Sequence, residues 1–286
     1  MMTMNSTRSS QVSVVVVILI AAFMLLGSAQ AQPQPSDEAI WQQFLEWLPS
    51  APPVDGATPM LNQYRSRLVS NGASTTEADR QTDILRRMMR ERPDGWRIMF
   101  NNIYTMSNPG FVTQPNALLI STVEGRKPGR ALDVGMGQGR NSVFLAMKGW
   151  DVTGFDISDV GLAVARKNAE RAGVKLNAIR ETDEAFNYGS DQWDLIAFMY
   201  EPFPVASAAY VERLRKSMKP GGFIVIESFG EDATAPNRRP TAIDPAQLLA
   251  AFKDFRVVHF EDTVAMADWG DRVKTRVVRM VAEKRQ

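Results

Sequence analysis

Residues 131–141 read ALDVGMGQGRN. An apolar stretch at 131–134, the length of a short buried strand, runs into glycines at alternate positions, Gly135, Gly137 and Gly139. A helical pattern then covers 141–148, and Gly149 stops it. Strand, glycine-rich turn and helix in that order bring unpaired helix-start N–H groups to the carboxyl end of a strand. The missing Cβ atoms let a ligand approach the backbone closely. The spacing is G-x-G-x-G, not the G-x-G-x-x-G of the dinucleotide fingerprint, in which a pyrophosphate rests on the helix start. Asp133, two residues before Gly135, suits a cationic ligand and repels a pyrophosphate.

Moving outward, 151–155 read as a second strand, and Asp156 stands at its end, 21 positions after Gly135. A carboxylate there accepts hydrogen bonds from both hydroxyls of a ribose. As plain turn or cap residues, Asp133 and Asp156 would not need to fall at two strand ends flanking one loop. The alternation continues with a helix at 159–172, strands at 176–179 and 193–199, and a helix at 210–218. After a turn at 220–222 come a strand at 223–227, a Pro-rich loop at 232–245, a helix at 245–252, and strands at 256–261 and 273–281. The pattern predicts an α/β fold, a Rossmann-like doubly wound sheet of about seven strands.

Upstream, Ser36 is an N-cap for an amphipathic helix carrying Ile40, Trp41, Phe44, Leu45, Trp47 and Leu48, and prolines from Pro49 to Pro53 break it. Helical patterns follow at 60–69 and 77–90, the second opened by Thr75 and Thr76, and Pro93 begins another with Trp96, Ile98, Met99, Phe100 and Tyr104. Residues 36–106 therefore read as a helical N-terminal cap whose aromatics face its own core. Tyr104, Pro115 and Asn116 are open to two readings, a lid over a ligand or ordinary packing.

The run from Ala131 to Asn141, with Asp156-Ile157-Ser158, Trp193-Asp194-Leu195-Ile196 and Lys219-Pro220-Gly221-Gly222, resembles the class I S-adenosylmethionine (SAM)-dependent methyltransferase family. Within it the chain is most similar to the tellurite-resistance-type and related small-molecule methyltransferases, which share the Gly137-to-Asn141 style of loop. The resemblance covers roughly 115–282 and implies SAM as cofactor. It implies that Asp133, Gly135, Met136, Gly137, Gln138, Gly139, Arg140 and Asn141 form the loop at the methionine end of SAM. It implies that Asp156 binds the ribose, that Ile157 packs on the adenine, and that Thr182 and Asp183 touch the adenine ring. Tyr200 falls where this family shapes the methyl-transfer site, and the two closing strands match its antiparallel C-terminal hairpin. Glu201-Pro202-Phe203-Pro204 departs from the Asn-Pro-Pro-Tyr/Phe signature of enzymes that methylate base or glutamine nitrogens, which argues against those substrates. The resulting division is 1–31 as signal peptide or membrane anchor, 32–112 as the cap, and 113–286 as the methyltransferase domain.

The first 31 residues have the three-part plan of a secretory signal: a polar start with Arg8, an apolar run at 12–26, and Ala29-Gln30-Ala31 at the cleavage position. The run is shorter than the roughly 20 residues of a spanning helix. An uncleaved anchor is the alternative, with the membrane met only through this segment. The localisation expected is exported or membrane-anchored, and cytoplasmic where the segment does not function. Export sits uneasily with a cofactor made and held in the cytoplasm, which keeps open a non-catalytic binding module on the same fold.

Hydrophobic residues make up 44% and charged residues 23% of the chain, an ordinary balance for a globular protein. Without Arg8, basic and acidic side chains are equal, so no basic field exists to hold a phosphate backbone, and no nucleic-acid partner is expected. The lack of cysteine excludes disulfides, thiolate metal sites and a Cys nucleophile, the single histidine, His259, argues against a histidine metal cluster or a Ser-His triad, and no metal is expected. His259 reads as a core or edge residue and Arg238-Arg239 as solvated loop charges. A nucleotide-linked oxidoreductase lacks its loop spacing. An aminopropyl transferase would need an acidic cluster after the fourth strand, where only Glu201 stands. The partner expected is a small-molecule methyl acceptor. In-line displacement at an activated sulfonium needs mainly proximity and desolvation, so no catalytic residue is assigned.

Overall fold

The computed structural model describes residues 34–52, 57–105, 111–231, 242–269 and 274–285; the readings of 1–31 and of Arg238 and Arg239 fall outside them. Helix α1 (Asp37–Trp47) begins where Ser36 Oγ accepts the Ala39 N–H at 3.2 Å, with Asp37 and Glu38 at the positive end of the helix dipole. Pro49, inside a single 3₁₀ turn at Leu48–Ser50, ends it. Helices α2 (Ala57–Ser70), α3 (Thr75–Glu91) and α4 (Pro93–Tyr104) follow. Ser74 caps α3 through the Glu77 N–H, one residue before the expected threonines. The four helices bury Ile40, Trp41, Phe44, Tyr64, Leu85 and Ile103 together, with Phe44 and Tyr64 edge to face at 5.3 Å. The cap thus owns its core, and its aromatics fill it as expected.

The second layer system starts at α5 (Ala117–Val123) and β1 (Arg130–Val134), then α6 (Arg140–Met147), β2 (Asp151–Asp156), α7 (Asp159–Arg171), β3 (Asn177–Arg180) and β4 (Trp193–Met199). It continues through α8 (Ala208–Ser217), β5 (Met218–Phe229), α9 (Pro245–Ala251), β6 (Arg256–Met266) and β7 (Lys274–Glu283). The seven strands lie in the order β3-β2-β1-β4-β5-β7-β6. The first five pair in parallel, whereas β7 slots antiparallel between β5 and β6. One face of the sheet carries Leu132, Val134, Ile196, Phe198, Ile224 and Ile226 against α8 and α9. The other carries Ala131, Val152, Leu195, Ala197 and Val225 against α5 and α6. Strands buried on both faces explain the continuous apolar runs of the sequence.

Two expected boundaries move. The turn at 220–222 is built into β5 as a bulge: Gly221 has φ +75° and donates to Lys284 O, and the register shifts between Trp193 and Leu195. Strand β6 runs on to Met266 because β7 pairs with it along its whole length, beyond the apolar stretch that signalled it. Among the described residues no helix is long and apolar enough to cross a membrane, and no group of His, Asp and Glu could hold a metal ion.

Candidate functional site

The carboxyl ends of β1, β2 and β4 meet over the glycine loop. Gly135, Gly137 and Gly139 have φ of +65°, +52° and +78°, so the loop needs glycine at all three positions. Met136 N–H donates to Phe155 O at 3.0 Å and ties the loop to β2. The Met136 side chain turns down onto Leu162 and Ala165 and is buried, so only its backbone can face a ligand. A Cβ on Gly139 would press on Ala165, which fixes how closely α6 approaches α7. Space that a Cβ would take on Gly135 holds the Glu201 carboxyl, and on Gly137 the Tyr104 hydroxyl. Polar groups from the end of β4 and from the cap therefore converge on the loop.

Asp133 is 1% exposed, and its Oδ2 accepts the Ser142 hydroxyl at 2.6 Å. Burial pushes its carboxyl up to about 6, partly opposed by Ser142 and by the positive charge of Arg140. Asp156 accepts the Gly137 N–H at 2.8 Å through Oδ2 and the Ser158 N–H at 2.7 Å through Oδ1. Burial raises its carboxyl too, while the backbone donors pull the other way. Ile157 stays partly exposed between β2 and α7. Thr182 closes a turn after β3, its hydroxyl accepting the Ala185 N–H at 3.3 Å. Asp183 takes two phenols, Tyr188 and Tyr210, the second at 2.8 Å, and burial raises its carboxyl as well.

Arg140 and Asn141 hold the frame. The Arg140 guanidinium donates to Gln114 O at 2.9 Å and to Asp268 Oδ2 at 3.2 Å and O at 2.8 Å. Asn141 Oδ1 accepts the Asn116 N–H at 2.9 Å, and Asn116 Nδ2 donates to Asp268 at 3.0 Å. Gln138 reaches Val112 O with its amide at 3.3 Å. Asn116 thus belongs to a clasp that joins the linker, α6 and the segment after β6. Pro115 lines a groove of about 690 Å³ on the outer side of the loop, with Phe111, Arg140 and Phe144. Tyr104 is the member of the lid set that reaches the loop. Its hydroxyl accepts the Gln138 N–H, and burial with the charges of Asp156 and Glu201 raises its ionisation far above the usual phenol range. The cap is also pinned by Asn101, whose Oδ1 accepts the Ser158 hydroxyl at 2.7 Å.

Tyr200 is held from across the sheet. Its φ is +62°, rare for a residue with a side chain, and its hydroxyl donates to Glu227 at 2.8 Å and accepts the Asp268 N–H at 2.8 Å. The ring lies on Phe229 and Trp269, and the hydroxyl links Tyr200 to Asp268, which in turn holds Arg140 of the loop. The left-handed turn delivers the next residue, Glu201, to the crevice instead.

A family profile described as "Methyltransferase domain" matches residues 131–222. The chain is 34% identical to "Ubiquinone biosynthesis O-methyltransferase" of Shewanella pealeana over 109 residues, 37% of this chain and 46% of that protein. It is 24% identical to "Probable S-adenosyl-L-methionine-dependent methyltransferase TehB" of Haemophilus influenzae over 171 residues, 55% of this chain and 58% of that protein. The crystal structure of TehB from that organism superposes with a TM-score of 0.50 at 21% identity, covering 58% of this chain and 61% of that one, which shows the fold. Residues 131–222 thus carry a methyltransferase domain, on the fold of the class I SAM-dependent methyltransferases. The chain spans about half the length of the curated relatives it matches.

SAM is the cofactor that the methyltransferase family implies, and the crevice fits it. The glycines let polar groups come close against the loop, Asp133 and Asp156 offer acceptors to an ammonium and a ribose, and among the described residues Arg140, the cation of the loop, is engaged by Asp268. Sequence reasoning missed three residues here. Asp268 and Asn101 reach the site from 128 and 57 positions away from their partners, and no local pattern announces them. Glu201 was noticed as a departure from a signature and as a lone acid after the fourth strand, and its neighbour's positive φ was the signal that no sequence rule supplies.

Proposed function

We propose that this protein is a SAM-dependent methyltransferase (EC 2.1.1.-) moving a methyl group to a small-molecule acceptor by in-line displacement. The observation that carries the reading is the pair of acids at the strand ends, buried Asp133 and half-buried Asp156, flanking a loop whose backbone calls for glycine at three positions. Asp156 would take the ribose hydroxyls and Asp133 the ammonium, with the other acids at the strand ends supporting positive charge over the loop. Bound SAM supplies an activated methyl sulfonium. The protein's part is to hold it in line, to exclude water through Tyr104 and the cap, and to keep the acids dry.

The test is calorimetric titration of the full chain with SAM, with NADH and decarboxylated SAM as controls, repeated on Asp156→Ala. Micromolar binding of SAM alone, weakened about a hundredfold in the variant, supports the reading. Absence of SAM binding sinks it. The non-catalytic alternative predicts SAM binding without methyl loss to any acceptor, so release of S-adenosylhomocysteine with an acceptor removes it. Residues 1–31 we assign to export or anchoring, checked by cell fractionation and the mass of the mature chain: a cytoplasmic, full-length product overturns that assignment.

A further inference from the structure

Glu201 stands at the carboxyl end of β4, immediately after the left-handed Tyr200, with its carboxyl against Gly135 of the loop. The titratable groups around it come from four directions: Asp133 from β1, Asp156 from β2, Asp183 after β3 and Tyr104 from α4. The three aspartates each accept N–H or O–H donors of the protein. Glu201 accepts none among the described residues, although its carboxyl lies deep in protein and the residue as a whole is only partly buried. Beside it runs a chain of rings from the cap to β4: Tyr104 to Phe111 at 5.3 Å, Phe111 to Trp269 at 5.4 Å, and Trp269 to Tyr200 at 6.4 Å.

A carboxyl without a partner, beside an aromatic wall, recognises a protonated amine: the acid takes the charge and the rings take the organic body. Four carboxyls in one crevice repel an anionic acceptor. Resting on the methyltransferase reading above, we propose that Glu201 meets the methyl acceptor and removes its proton, and that the acceptor is an amine on an aromatic or apolar body. An ammonium cannot attack, because its lone pair holds a proton. The Glu201 carboxylate accepts that proton. The freed nitrogen pair then bonds to the methyl carbon as the carbon–sulfur bond breaks, its electrons staying on sulfur. The methylated ammonium leaves, and over the whole cycle one proton passes by way of Glu201 to water.

The full chain, wild type and Glu201→Gln, is titrated with S-adenosylhomocysteine at about pH 7. Saturated with it, each is then titrated with 2-phenylethylamine, 4-ethylphenol and 3-phenylpropionate in two buffers of different ionisation heat. Both proteins should bind S-adenosylhomocysteine within about threefold of each other. Of the three probes only the amine should bind the wild type, and the variant should bind it at least about tenfold more weakly. Burial and the three aspartates push the free Glu201 carboxyl well up, and a bound ammonium pulls it back down. Amine binding should therefore release a proton from the wild type, read as a buffer-dependent heat, and not from the variant. Phenol or carboxylate binding as tightly as the amine overturns the proposal, as does no amine binding or an amine affinity unchanged in the variant. Loss of S-adenosylhomocysteine in the variant alone makes Glu201 a cofactor ligand and also overturns it. A wild type that binds no S-adenosylhomocysteine brings down the methyltransferase reading with it, whereas cofactor binding without amine binding brings down the role of Glu201 alone.

Discussion

Asp133 and Asp156, at the ends of β1 and β2, spend oxygens on the loop they flank, through the Ser142 hydroxyl and the Gly137 and Ser158 N–H groups. At the end of β4 the arrangement differs. Tyr200 gives its hydroxyl to Glu227 and Asp268, and Glu201 is left facing the crevice with no donor among the described residues. The first region is organised by neighbours close in sequence and is preformed for a fixed ligand. The second is organised by β5 and by the segment after β6, and it leaves a reactive group free. On the function proposed above, the first would serve a constant cofactor and the second a variable acceptor.

The sharpest way to break the preformed side is Gly137→Ala. A side chain there meets a φ of +52° and the Tyr104 hydroxyl together, so SAM binding should vanish and stability should fall by about 3 kcal/mol. Calorimetry with a denaturant melt checks both, and undiminished SAM affinity would falsify the close approach of ligand and loop. Asp133 allows a pH test. Its folded carboxyl titrates at about 6, above the roughly 3.9 of an unfolded Asp, so the native state holds the proton longer. Stability from this group is therefore complete below about pH 4 and is lost as pH rises through 6. Asp133→Asn removes that loss, and its stability should gain on wild type by about 2–3 kcal/mol between pH 4 and 7. Denaturant melts across that range measure the gain, and a difference that stays flat with pH rules the shift out.

On the other side, Tyr200→Phe strips an acceptor from the Asp268 N–H and a donor from Glu227. It should cost about 1–2 kcal/mol of stability while SAM affinity stays within about threefold. A large loss of SAM affinity would show that Tyr200 does belong to the cofactor side. The smallest effect is expected at Asn101→Ala, which releases the cap from Ser158 and should lower stability by about 1 kcal/mol. Faster proteolysis of the cap is the confirming measurement, and unchanged proteolysis and stability would mean that Tyr104 seats the cap unaided.

Much of this molecule can be read without coordinates. Strand, loop and helix from Ala131 to Asn141 form as the pattern demands, because apolar runs, glycine spacing and the Ser158 cap act within a few residues. Asp156 reaches the loop because β1 and β2 pair in parallel with Val134 beside Phe155, a consequence of ordinary crossover topology. The bulge at Gly221 and the full length of β6 escape such reading, since each is set by β7 or its flank from across the sheet.

What the amino-acid sequence determined by itself is therefore the architecture and the glycine loop with its flanking acids: periodicities of two and 3.6, helix caps, and acids at strand ends, all short-range effects. Only the tertiary structure decided which side chains close the crevice. Tyr104 arrives there because the cap packs through α4 onto α7, with Asn101 as its pin. Arg140 is spoken for because Asp268 folds back onto it from beyond β6. Glu201 faces Gly135 because packing against Glu227, Phe229 and Trp269 holds Tyr200 in a backbone conformation that a tyrosine does not choose alone.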